Sequence, residues 1–426
     1  MRILVLGGGG REHAIVTALS RSPHAPEIFC SPGNGGTAAL AINVEINDED
    51  PAFIAEWVER NHIDFVVVGP EAPLVVGVAD MLGFDGVPVF GPRAAGAQIE
   101  GSKAFAKDLM ERYGIPTGGY RLIHSYEEAE EYLREVGAPV VVKADGLAAG
   151  KGVTVAMTVE DALGAVRLCL DGAFGPAGEL VVIEEFLKGP ECSLLAFTDG
   201  ETVLPMLPAQ DHKRAYDNDE GPNTGGMGVY APVPVVDDEA LAAMTAILKQ
   251  TVAALKSDGI DYRGVLYGGF ILTDEGPKVL EFNARFGDPE TQVLLPLLEN
   301  DLLDVMLAVA EGRLGEVELS WRDGVALSVV LAAGGYPVAY DKGAVINGLE
   351  EAGQIEGVTV YHAGTALDPA GRLVTDGGRV LNVTAIAPSF SEARSRAYEA
   401  VDLIRFDNMH YRTDIGLKAL HARGEA

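Results

Sequence analysis

Positive charge is scarce in this sequence of 426 residues. The chain has 32 Lys and Arg residues against 63 Asp and Glu residues, which gives a formal net charge of −31 at pH 7, and 11 of its cations are lysines. Nucleic acids and anionic membrane surfaces both attract proteins through widely distributed basic residues. The composition therefore argues against nucleic-acid and membrane partners. It also predicts that any anionic ligand is held by a few cations at particular positions.

Cysteine and long apolar runs are also scarce. Cys30, Cys169 and Cys192 are scattered and form no Cys-x-x-Cys pair, which predicts reduced thiols in a cytoplasmic protein and argues against a cysteine metal cluster. No apolar run approaches the roughly 20 residues that a membrane-spanning helix needs. The short apolar run Ile3–Leu6 predicts a buried strand rather than a secretion signal.

Short apolar runs alternate with helical stretches, and this pattern divides the chain into three units. Residues 1–102 predict a doubly wound parallel β/α domain. Residues 103–327 predict a central unit with an antiparallel hairpin, because turn-forming residues join the strand-like runs Val265–Leu272 and Lys278–Asn283. Residues 328–426 predict a β-rich α+β domain. The expected fold class is therefore a multidomain α/β and α+β protein.

Glycine is abundant, with 52 residues, and the first glycine-rich loop, Gly7–Gly10, ends a predicted strand and opens a helix. Free N–H groups at such a helix start favour an anion. The dinucleotide fingerprint G-x-G-x-x-G fails, because its last glycine position is filled by Glu12 or His13, and no acidic residue follows the second strand. We interpret the loop as a phosphate site for a substrate. A tight turn without a ligand is the alternative.

The second glycine-rich loop follows Lys143, which closes a buried apolar run. A Walker A loop is excluded because three residues separate Gly146 from Gly150, and because Gly152 follows Lys151. A flexible loop rich in backbone N–H groups and flanked by two lysines suits a polyphosphate. The alternative, a mobile hairpin tip, leaves the lysine at the end of the buried run unexplained.

The second strand of the predicted hairpin carries the strongest indication of a metal site. Because side chains alternate along a strand, Glu281 and Asn283 share one face, as does Arg285 if the strand continues. Leu280 and Phe282 are then expected to face the core. A carboxylate and an amide oxygen two residues apart suit Mg²⁺, and an adjacent arginine suits a carboxylate or a developing phosphoryl charge. A solvated strand face with a surface ion pair is the alternative.

Two polar segments of the central unit are less specific. Asp211–Arg214 places four ionisable residues side by side, and the glycine-rich stretch Pro222–Gly228 is able to fold over a ligand. Each segment, taken by itself, is more often an ordinary surface loop. Neither therefore indicates a site without the motifs around it.

Together these motifs resemble the ATP-grasp ligases, and more narrowly the glycinamide ribonucleotide synthetase family. The resemblance covers nearly the whole chain, and its segments follow the family's order. Two departures are small: the first loop reads GGGG where some family members carry Asn, and the strand reads EFNAR where Cys is also seen. The matching segments are GGGGREHA (7–14), SPGNGGTA (31–38), VGPEAPLV (68–75), EGSKAFAK (100–107), VVKADGLAAGKGV (141–153), DHKRAYDNDEGPNTGGMG (211–228), EFNARFGDPETQ (281–292), AAGGYP (332–337) and HAGT (362–365).

The resemblance implies a central ATP-grasp fold and a ligation that converts ATP, glycine and 5-phosphoribosylamine into glycinamide ribonucleotide, ADP and phosphate, an early step of purine (IMP) biosynthesis. Phosphorylation of glycine replaces a poor leaving group by phosphate, and the amine then attacks this glycyl phosphate. Such catalysis depends on positioning and charge stabilisation, without a protein nucleophile. We expect Mg²⁺ or Mn²⁺ as the metal, and a cytoplasmic monomer or weak homodimer.

The resemblance also implies how ATP is held. Lys103 and Lys143 would contact the phosphates, the loop 146–152 would cover them, and a mobile subdomain at about 117–190 would close over the nucleotide. Backbone groups of residues 184–187 would hold adenine, and Glu191 would hold the ribose hydroxyls. The residues expected to bind ATP are Lys103, Lys143, Gly146, Gly150, Lys151, Gly152, Glu184, Glu185, Phe186, Leu187 and Glu191.

The other roles implied by the resemblance concern the metal and the two remaining substrates. Glu281 and Asn283 are the expected metal ligands. Asp211, Lys213 and Arg285 are the expected catalytic residues, which face glycine and the developing acyl phosphate. The residues expected to bind substrates are Gly8, Gly9, Gly10, Asn34, Arg285 and Asp288.

Two alternatives stay open at this level. A different ATP-grasp enzyme, such as a biotin-dependent carboxylase subunit, would turn over ATP with bicarbonate and without phosphoribosylamine. A non-catalytic nucleotide sensor of the same fold would bind ATP without turnover. The metal-ligand pair and the lysines of the motifs argue against the sensor.

Overall fold

Five parallel strands form the sheet of the first unit in the computed structural model, which describes residues 1–147 and 152–425 of the chain. The strands are β1 (Arg2–Gly7), β2 (Glu27–Pro32), β3 (Ile42–Asn43), β4 (Phe65–Val68) and β5 (Val89–Phe90). They pair in the order β3-β2-β1-β4-β5, so the chain starts in the middle of the sheet and winds both ways, as predicted. The helices of this unit are α1 (Gly10–Ser20), α2 (Pro51–Arg60), α3 (Glu71–Val75), α4 (Val78–Phe84) and α5 (Ala94–Gly101).

A small lobe with its own core opens the central part of the chain, directly after α6 (Lys103–Tyr113), which is N-capped by Ser102. Its antiparallel strands pair in the order β6-β9-β7-β8, and the core is built from residues such as Val142, Val166 and Ile183. The elements of the lobe are β6 (Tyr120–Ile123), α7 (Tyr126–Val136), β7 (Val140–Ala144), β8 (Val153–Ala156), α8 (Val159–Leu168) and β9 (Val181–Glu185).

The following strands belong to three sheets, the smallest of which is a two-stranded pair. They are β10 (Glu191–Thr198), β11 (Val203–Pro205), β12 (Gln210–Asp211), β13 (Arg214–Tyr216), β14 (Glu220–Asn223), β15 (Gly228–Ala231), β16 (Gly264–Thr273) and β17 (Gly276–Asn283). One sheet has the order β11-β10-β16-β17, and its antiparallel β16–β17 pair confirms the predicted hairpin. The helices of this region are α9 (Asp238–Ser257), α10 (Thr291–Leu294) and α11 (Leu302–Glu311).

The last part of the chain completes an antiparallel sheet in the order β12-β15-β18-β22-β19. Its elements are β18 (Val325–Ala332), α12 (Leu349–Ala352), β19 (Val358–His362), β20 (Thr365–Leu367), β21 (Leu373–Thr375), β22 (Arg379–Ala387), α13 (Phe390–Val401) and α14 (Leu417–Arg423). Two strands from the central part thus join the third unit, and the boundary expected at position 328 falls inside β18. The predicted fold class is confirmed. Among the described residues, no helix is both long and apolar enough to cross a membrane.

Two histidines, the buried His13 and the half-buried His362, join the first unit to the third. His13 lies on α1 and His362 ends β19; the backbone N–H of His362 donates to His13 Nδ1 at 2.7 Å, and the ring centres are 5.4 Å apart. Burial, with repulsion from His362, lowers the pKa of His13 from 6.5 to about 3, and burial lowers the pKa of His362 to about 4. Both rings are therefore neutral at pH 7, as the contact requires.

We expect acid to weaken this contact. Because both pKa values lie below 6.5 in the folded chain, the unfolded chain takes up protons first as the pH falls. The stabilisation is complete above pH 6.5 and is lost as the pH falls to about 4 for His362 and to about 3 for His13, at about 1.4 kcal/mol per pH unit for each histidine. In His13→Gln, whose amide oxygen still accepts the hydrogen bond, the thermal unfolding temperature should fall less between about pH 7 and about pH 5 than in the unchanged chain. His124→Gln, at an exposed position, is the control, and an equal fall in both variants would contradict the expectation.

Candidate active site

A cleft of about 650 Å³ collects side chains from all three units. The first unit contributes Arg11. The central unit contributes Lys143 from the small lobe and Glu281 from the β16–β17 hairpin, and the last sheet contributes Arg379. Of the predicted ATP residues, Gly150 and Lys151 lie outside the described residues. The predicted residues that line the cleft are Lys103, Lys143, Gly146, Gly152, Glu184, Asp211, Lys213, Glu281, Asn283, Arg285 and Asp288.

Glu281 and Asn283 both line the cleft at the end of β17. A β-bulge in the pairing of β16 with β17 places Glu281 opposite Gly269 and leaves Leu280 as the extra residue. The prediction that Leu280 faces the core is therefore wrong, since this side chain is half-buried and lines the cleft. Gly269 makes room for the carboxylate, because a Cβ there would come within 3.3 Å of Glu281 Cγ.

Four cations surround the carboxylate of Glu281. Burial opposes its ionisation, but Lys213, Lys143, Lys103 and Arg285 together outweigh burial and lower its pKa. Lys213 Nζ lies 4.0 Å from Glu281 Oε1. An ionised carboxylate beside an amide oxygen is a donor set that hard divalent ions accept, with phosphate oxygens and water completing the shell. The side chains present therefore fit a divalent metal.

The amide of Asn283 has a defined orientation. When the amide is turned so that its neighbours are satisfied, the nitrogen donates to Phe282 O and to Glu100 Oε1, both at 3.2 Å. The oxygen then points away from these two acceptors. Glu100, which the sequence reasoning did not single out, thus determines which end of the amide is offered to a metal ion.

Two buried lysines share the carboxylate of Glu184. Lys143 Nζ lies 2.9 Å from Glu184 Oε1, and Lys107 Nζ lies 3.0 Å from Glu184 Oε2. The three side chains are between 2% and 8% exposed. The sequence analysis expected Glu184 to act through its backbone groups, but its side chain also lines the cleft and pairs with both lysines. Sequence reasoning missed Lys107, although its position four residues after Lys103 puts both lysines on one face of α6.

The other residues expected to hold the nucleotide lie at the end of β9, on the connection to β10 and at the start of β10. The N–H of Glu185 donates to Gly119 O at 2.8 Å, and Glu185 Oε2 accepts from Gly119 N–H at 3.1 Å. Glu191 Oε2 lies 3.2 Å from Lys213 Nζ, which links the start of β10 to the cleft. Within the described part of the chain, the predicted residues outside the cleft lining are Glu185, Phe186, Leu187, Glu191, Gly8, Gly9, Gly10 and Asn34.

Arg285 reaches the cleft already paired with two acids that the sequence reasoning missed. Its Nη2 lies 2.7 Å from Glu100 Oε1, and its Nε lies 3.2 Å from Glu71 Oε2. Burial raises the pKa of Glu100 despite the arginine, whereas at Glu71 Arg285 and Arg11 outweigh burial and lower the pKa. Both acids lie in segments that carry the family resemblance, 68–75 and 100–107, and this position was the one indication in the sequence that they belong to the site.

Asp211 ends β12 among other acids. Burial raises its pKa to about 7, because Lys213 opposes the shift only in part and Glu290 adds to it. A carboxyl group with such a pKa exchanges protons readily at neutral pH. Glu290, which sequence reasoning also missed, accepts hydrogen bonds from Tyr267 Oη at 3.0 Å and from Ser193 Oγ at 3.3 Å.

The glycine loop of the first unit adjoins the cleft through Asp288. A Cβ on Gly9 would come within 3.3 Å of Asp288 Oδ2, and this carboxylate lies 3.2 Å from Arg379 Nη2. The amide of Asn34 donates to Gly8 O at 2.9 Å, while its oxygen accepts from two backbone N–H groups. Asn34 therefore holds the loop in shape. Arg379 is the first residue of β22 in the third unit, and no periodic pattern in the sequence indicated that it belongs to the site.

The start of α1 is capped by the chain's own acid. Glu12 Oε2 accepts from the N–H of Gly9 at 2.7 Å, and Glu12 Oε1 lies 2.5 Å from Arg11 Nε. An anion near the loop would meet this carboxylate together with the arginine, whose side chain lines the cleft. The substrate-binding role of Gly8–Gly10 stays a prediction.

Comparison with known proteins relates the whole chain to one family. Three family models match: the N domain of phosphoribosylglycinamide synthetase at residues 1–100, its ATP-grasp (A) domain at 101–291 and its C domain at 326–418. A phosphoribosylamine–glycine ligase of Brucella melitensis is 51% identical over 421 residues, covering 99% of this chain and 98% of the relative. One of Nostoc sp. is 52% identical, covering 98% and 99%.

Solved structures agree with these relatives. The crystal structure of the phosphoribosylamine–glycine ligase of Thermotoga maritima is 35% identical, with a TM-score of 0.85 that covers 97% of this chain and 100% of that one. A biotin carboxylase domain of the 2-oxoglutarate carboxylase of Hydrogenobacter thermophilus reaches a TM-score of 0.71 at 16% identity, covering 99% and 98%. At that identity the second likeness concerns the fold alone.

Proposed function

The chain belongs to the phosphoribosylglycinamide synthetase family, and we propose that its cleft joins glycine to 5-phosphoribosylamine through a glycyl phosphate intermediate. The overall reaction is that of a phosphoribosylamine–glycine ligase, an ATP-dependent step of purine biosynthesis. The observation that carries the proposal is the meeting, in one cleft, of the Glu281–Asn283 pair with the lysines Lys103, Lys143 and Lys213.

ATP would lie between the small lobe and the β16–β17 hairpin. Lys103 and Lys143, which both line the cleft, would contact its phosphates, and the loop containing Gly146 and Gly152 would cover them. The lobe of residues 117–190 would move to close over the nucleotide, which its separate core supports. The remaining ATP contacts would come from Gly150, Lys151, Glu184, Glu185, Phe186, Leu187 and Glu191.

The metal would be Mg²⁺ or Mn²⁺, held by Glu281 and Asn283. When bound, it supplies charge neutralisation for the phosphate oxygens. The donor set supports this assignment, because Glu281 is kept ionised by the surrounding cations and Glu100 orients the amide of Asn283.

The chemistry would take place between glycine, ATP and the amine. A carboxylate oxygen of glycine attacks the γ-phosphorus and ADP leaves; the nitrogen of phosphoribosylamine then attacks the acyl carbon, and phosphate leaves. Arg285 and Lys213 would stabilise the negative charge of the acyl phosphate. Asp211, with a pKa of about 7, would take the proton that the amine loses. Gly8, Gly9, Gly10, Asn34 and Asp288 would position the phosphoribosyl group.

The three units would correspond to residues 1–102, 103–327 and 328–426. We also propose that one chain is sufficient for the reaction, as a monomer or at most a weak homodimer, because residues of a single chain supply the cleft. A reducing, cytoplasmic location is supported by the three cysteines, which are buried free thiols.

An ADP-release assay tests the function. We expect rapid ADP release only when glycine and 5-phosphoribosylamine are both present with ATP and Mg²⁺, because only then is the intermediate formed and consumed. ADP release that needs neither substrate would overturn the assignment, and release that needs bicarbonate would indicate a carboxylase. ATP binding without turnover on any combination would indicate a nucleotide sensor.

The same assay has a second readout that concerns the intermediate. With glycine labelled by ¹⁸O in its carboxylate, one labelled oxygen should leave with phosphate. In the second step the bond between the acyl carbon and the oxygen that bridges to phosphorus breaks, so this oxygen stays with phosphate. Unlabelled phosphate accompanied by normal ligation would contradict the glycyl phosphate while leaving the ligase function in place.

A further inference from the structure

Lys107 is a buried lysine next to the proposed ATP site. Its side chain is 2% exposed and lies on α6, four residues after Lys103. We propose that Lys107 is a positioning residue for ATP: it neutralises Glu184, so that the positive charge of Lys143 stays available to the phosphates. The inference rests on the proposed function, because it assumes that ATP occupies this part of the cleft.

The strand geometry brings the three groups together. Lys143 on β7 lies opposite Val182 on β9, and Glu184 follows two residues later, so Lys143 and Glu184 share the sheet face that is turned towards the cleft. The opposite face carries the core of the lobe, which includes Val142 and Ile183. A carboxylate on this face therefore meets the lysine of the neighbouring strand.

The contact with Lys107 comes from outside the sheet. Each oxygen of Glu184 faces a different lysine, at 3.0 Å from Lys107 and at 2.9 Å from Lys143. Lys107 is anchored by a hydrogen bond to Thr117 Oγ1 at 2.8 Å, and Thr117 in turn donates to Val279 O at 2.7 Å. Lys107 is thus tied to the hairpin that carries Glu281, and this chain of contacts fixes its position.

The charges explain why two lysines are needed. A pair of Glu184 and Lys143 is neutral, and such a pair offers little attraction to a polyphosphate. With Lys107 included, the group of one carboxylate and two lysines carries one net positive charge. Since all three side chains are buried, screening by solvent is weak and this net charge acts on a ligand in the cleft.

The test compares Lys107→Met with the double variant Lys107→Met/Glu184→Gln. In the single variant, ATP should bind about tenfold more weakly by calorimetry, equivalent to about 1.4 kcal/mol, because the remaining group is neutral. In the double variant the net positive charge is restored and the backbone groups at position 184, which are expected to hold adenine, are kept, so ATP should bind about tenfold more tightly than in the single variant. Lys249→Met, at an exposed lysine of α9, controls for the loss of one charge from the whole protein.

The outcomes separate the possible roles. A double variant that binds ATP as weakly as the single variant would overturn the proposal, because Lys107 would then contact ATP itself. An unchanged Kd in the single variant would overturn it in favour of a purely structural role. If the single variant does not fold, the double variant decides, since its group carries the same net positive charge as in the unchanged chain; a Kd for ATP about tenfold or more above that of the unchanged chain would then overturn the proposal. ATP binding is measured without the other substrates, so a failure of the ligase assignment stays distinguishable.

Discussion

Replacement of Glu281 by alanine should lower kcat/KM for ligation by about 10³-fold or more, because the proposed metal would lose its carboxylate ligand and would no longer neutralise the phosphate charge. The fold should persist. The side chain is 36% exposed, and its neighbour Gly269 already leaves space around it. Loss of a half-exposed carboxylate in such surroundings leaves no large cavity. The expected variant is therefore a folded protein without ligase activity.

The measurement is the ADP-release rate across a titration of Mg²⁺, together with the thermal unfolding temperature. Glu275→Ala is the matched control, since Glu275 lies at the turn of the same hairpin, is 79% exposed and pairs with Lys278 at 2.7 Å. Its activity should stay within about twofold of the unchanged chain, as expected for a surface ion pair of little energetic weight. Near-normal activity of Glu281→Ala at saturating Mg²⁺ would contradict the metal assignment.

Replacement of Arg285 by methionine should cost about 3–5 kcal/mol in the free energy of unfolding and also abolish ligation. The stability loss follows from Glu100, which is almost fully buried and lies 2.7 Å from Arg285 Nη2. Without the arginine this carboxyl group, whose pKa burial already raises, must either stay charged without a cationic partner or take up a proton, and its backbone donor is the N–H of Ala284 at 2.7 Å. The activity loss would follow from the removal of the cation that we propose to stabilise the acyl phosphate.

A second variant separates the two effects. In Arg285→Met/Glu100→Gln the buried charge is absent, so most of the lost stability should return, while ligation stays abolished because the cation is still missing. Arg313→Met is the control, since this arginine pairs with Glu311 at the surface and should contribute less than about 1 kcal/mol. Urea unfolding and the ADP assay are the measurements. Recovery of activity in the double variant would show that Arg285 acts only through structure.

Patterns within one element were readable from the sequence. Alternation along β17 placed Glu281 and Asn283 on the cleft side, and turn residues predicted the hairpin that carries them. The same alternation failed at Leu280, because a bulge in the pairing with β16 adds one residue to β17. A bulge depends on both strands at once, so a rule applied to one strand cannot contain it.

Contacts between distant segments were beyond such rules. The partners of Arg285 lie 185 and 214 residues away at Glu100 and Glu71, and Arg379 comes from β22. The spacing from Lys103 to Lys107 indicated a shared helix face, yet nothing in that spacing indicated that Glu184 lies against it. Side chains that meet only after the sheets and helices have packed leave no periodic trace in the sequence.

Motifs and composition are properties of the chain alone, and they were sufficient to identify the family and to show the scarcity of positive charge. They also implied that anionic ligands must be held locally. The arrangement of these cations depends on packing. Packing gathers Lys103, Lys107, Lys143 and Lys213 around one cleft, and it places Glu184 beside Lys107 and Lys143 and Glu191 beside Lys213. The physical reason is that the strength of a charge at a site depends on distance and burial, and packing alone sets both.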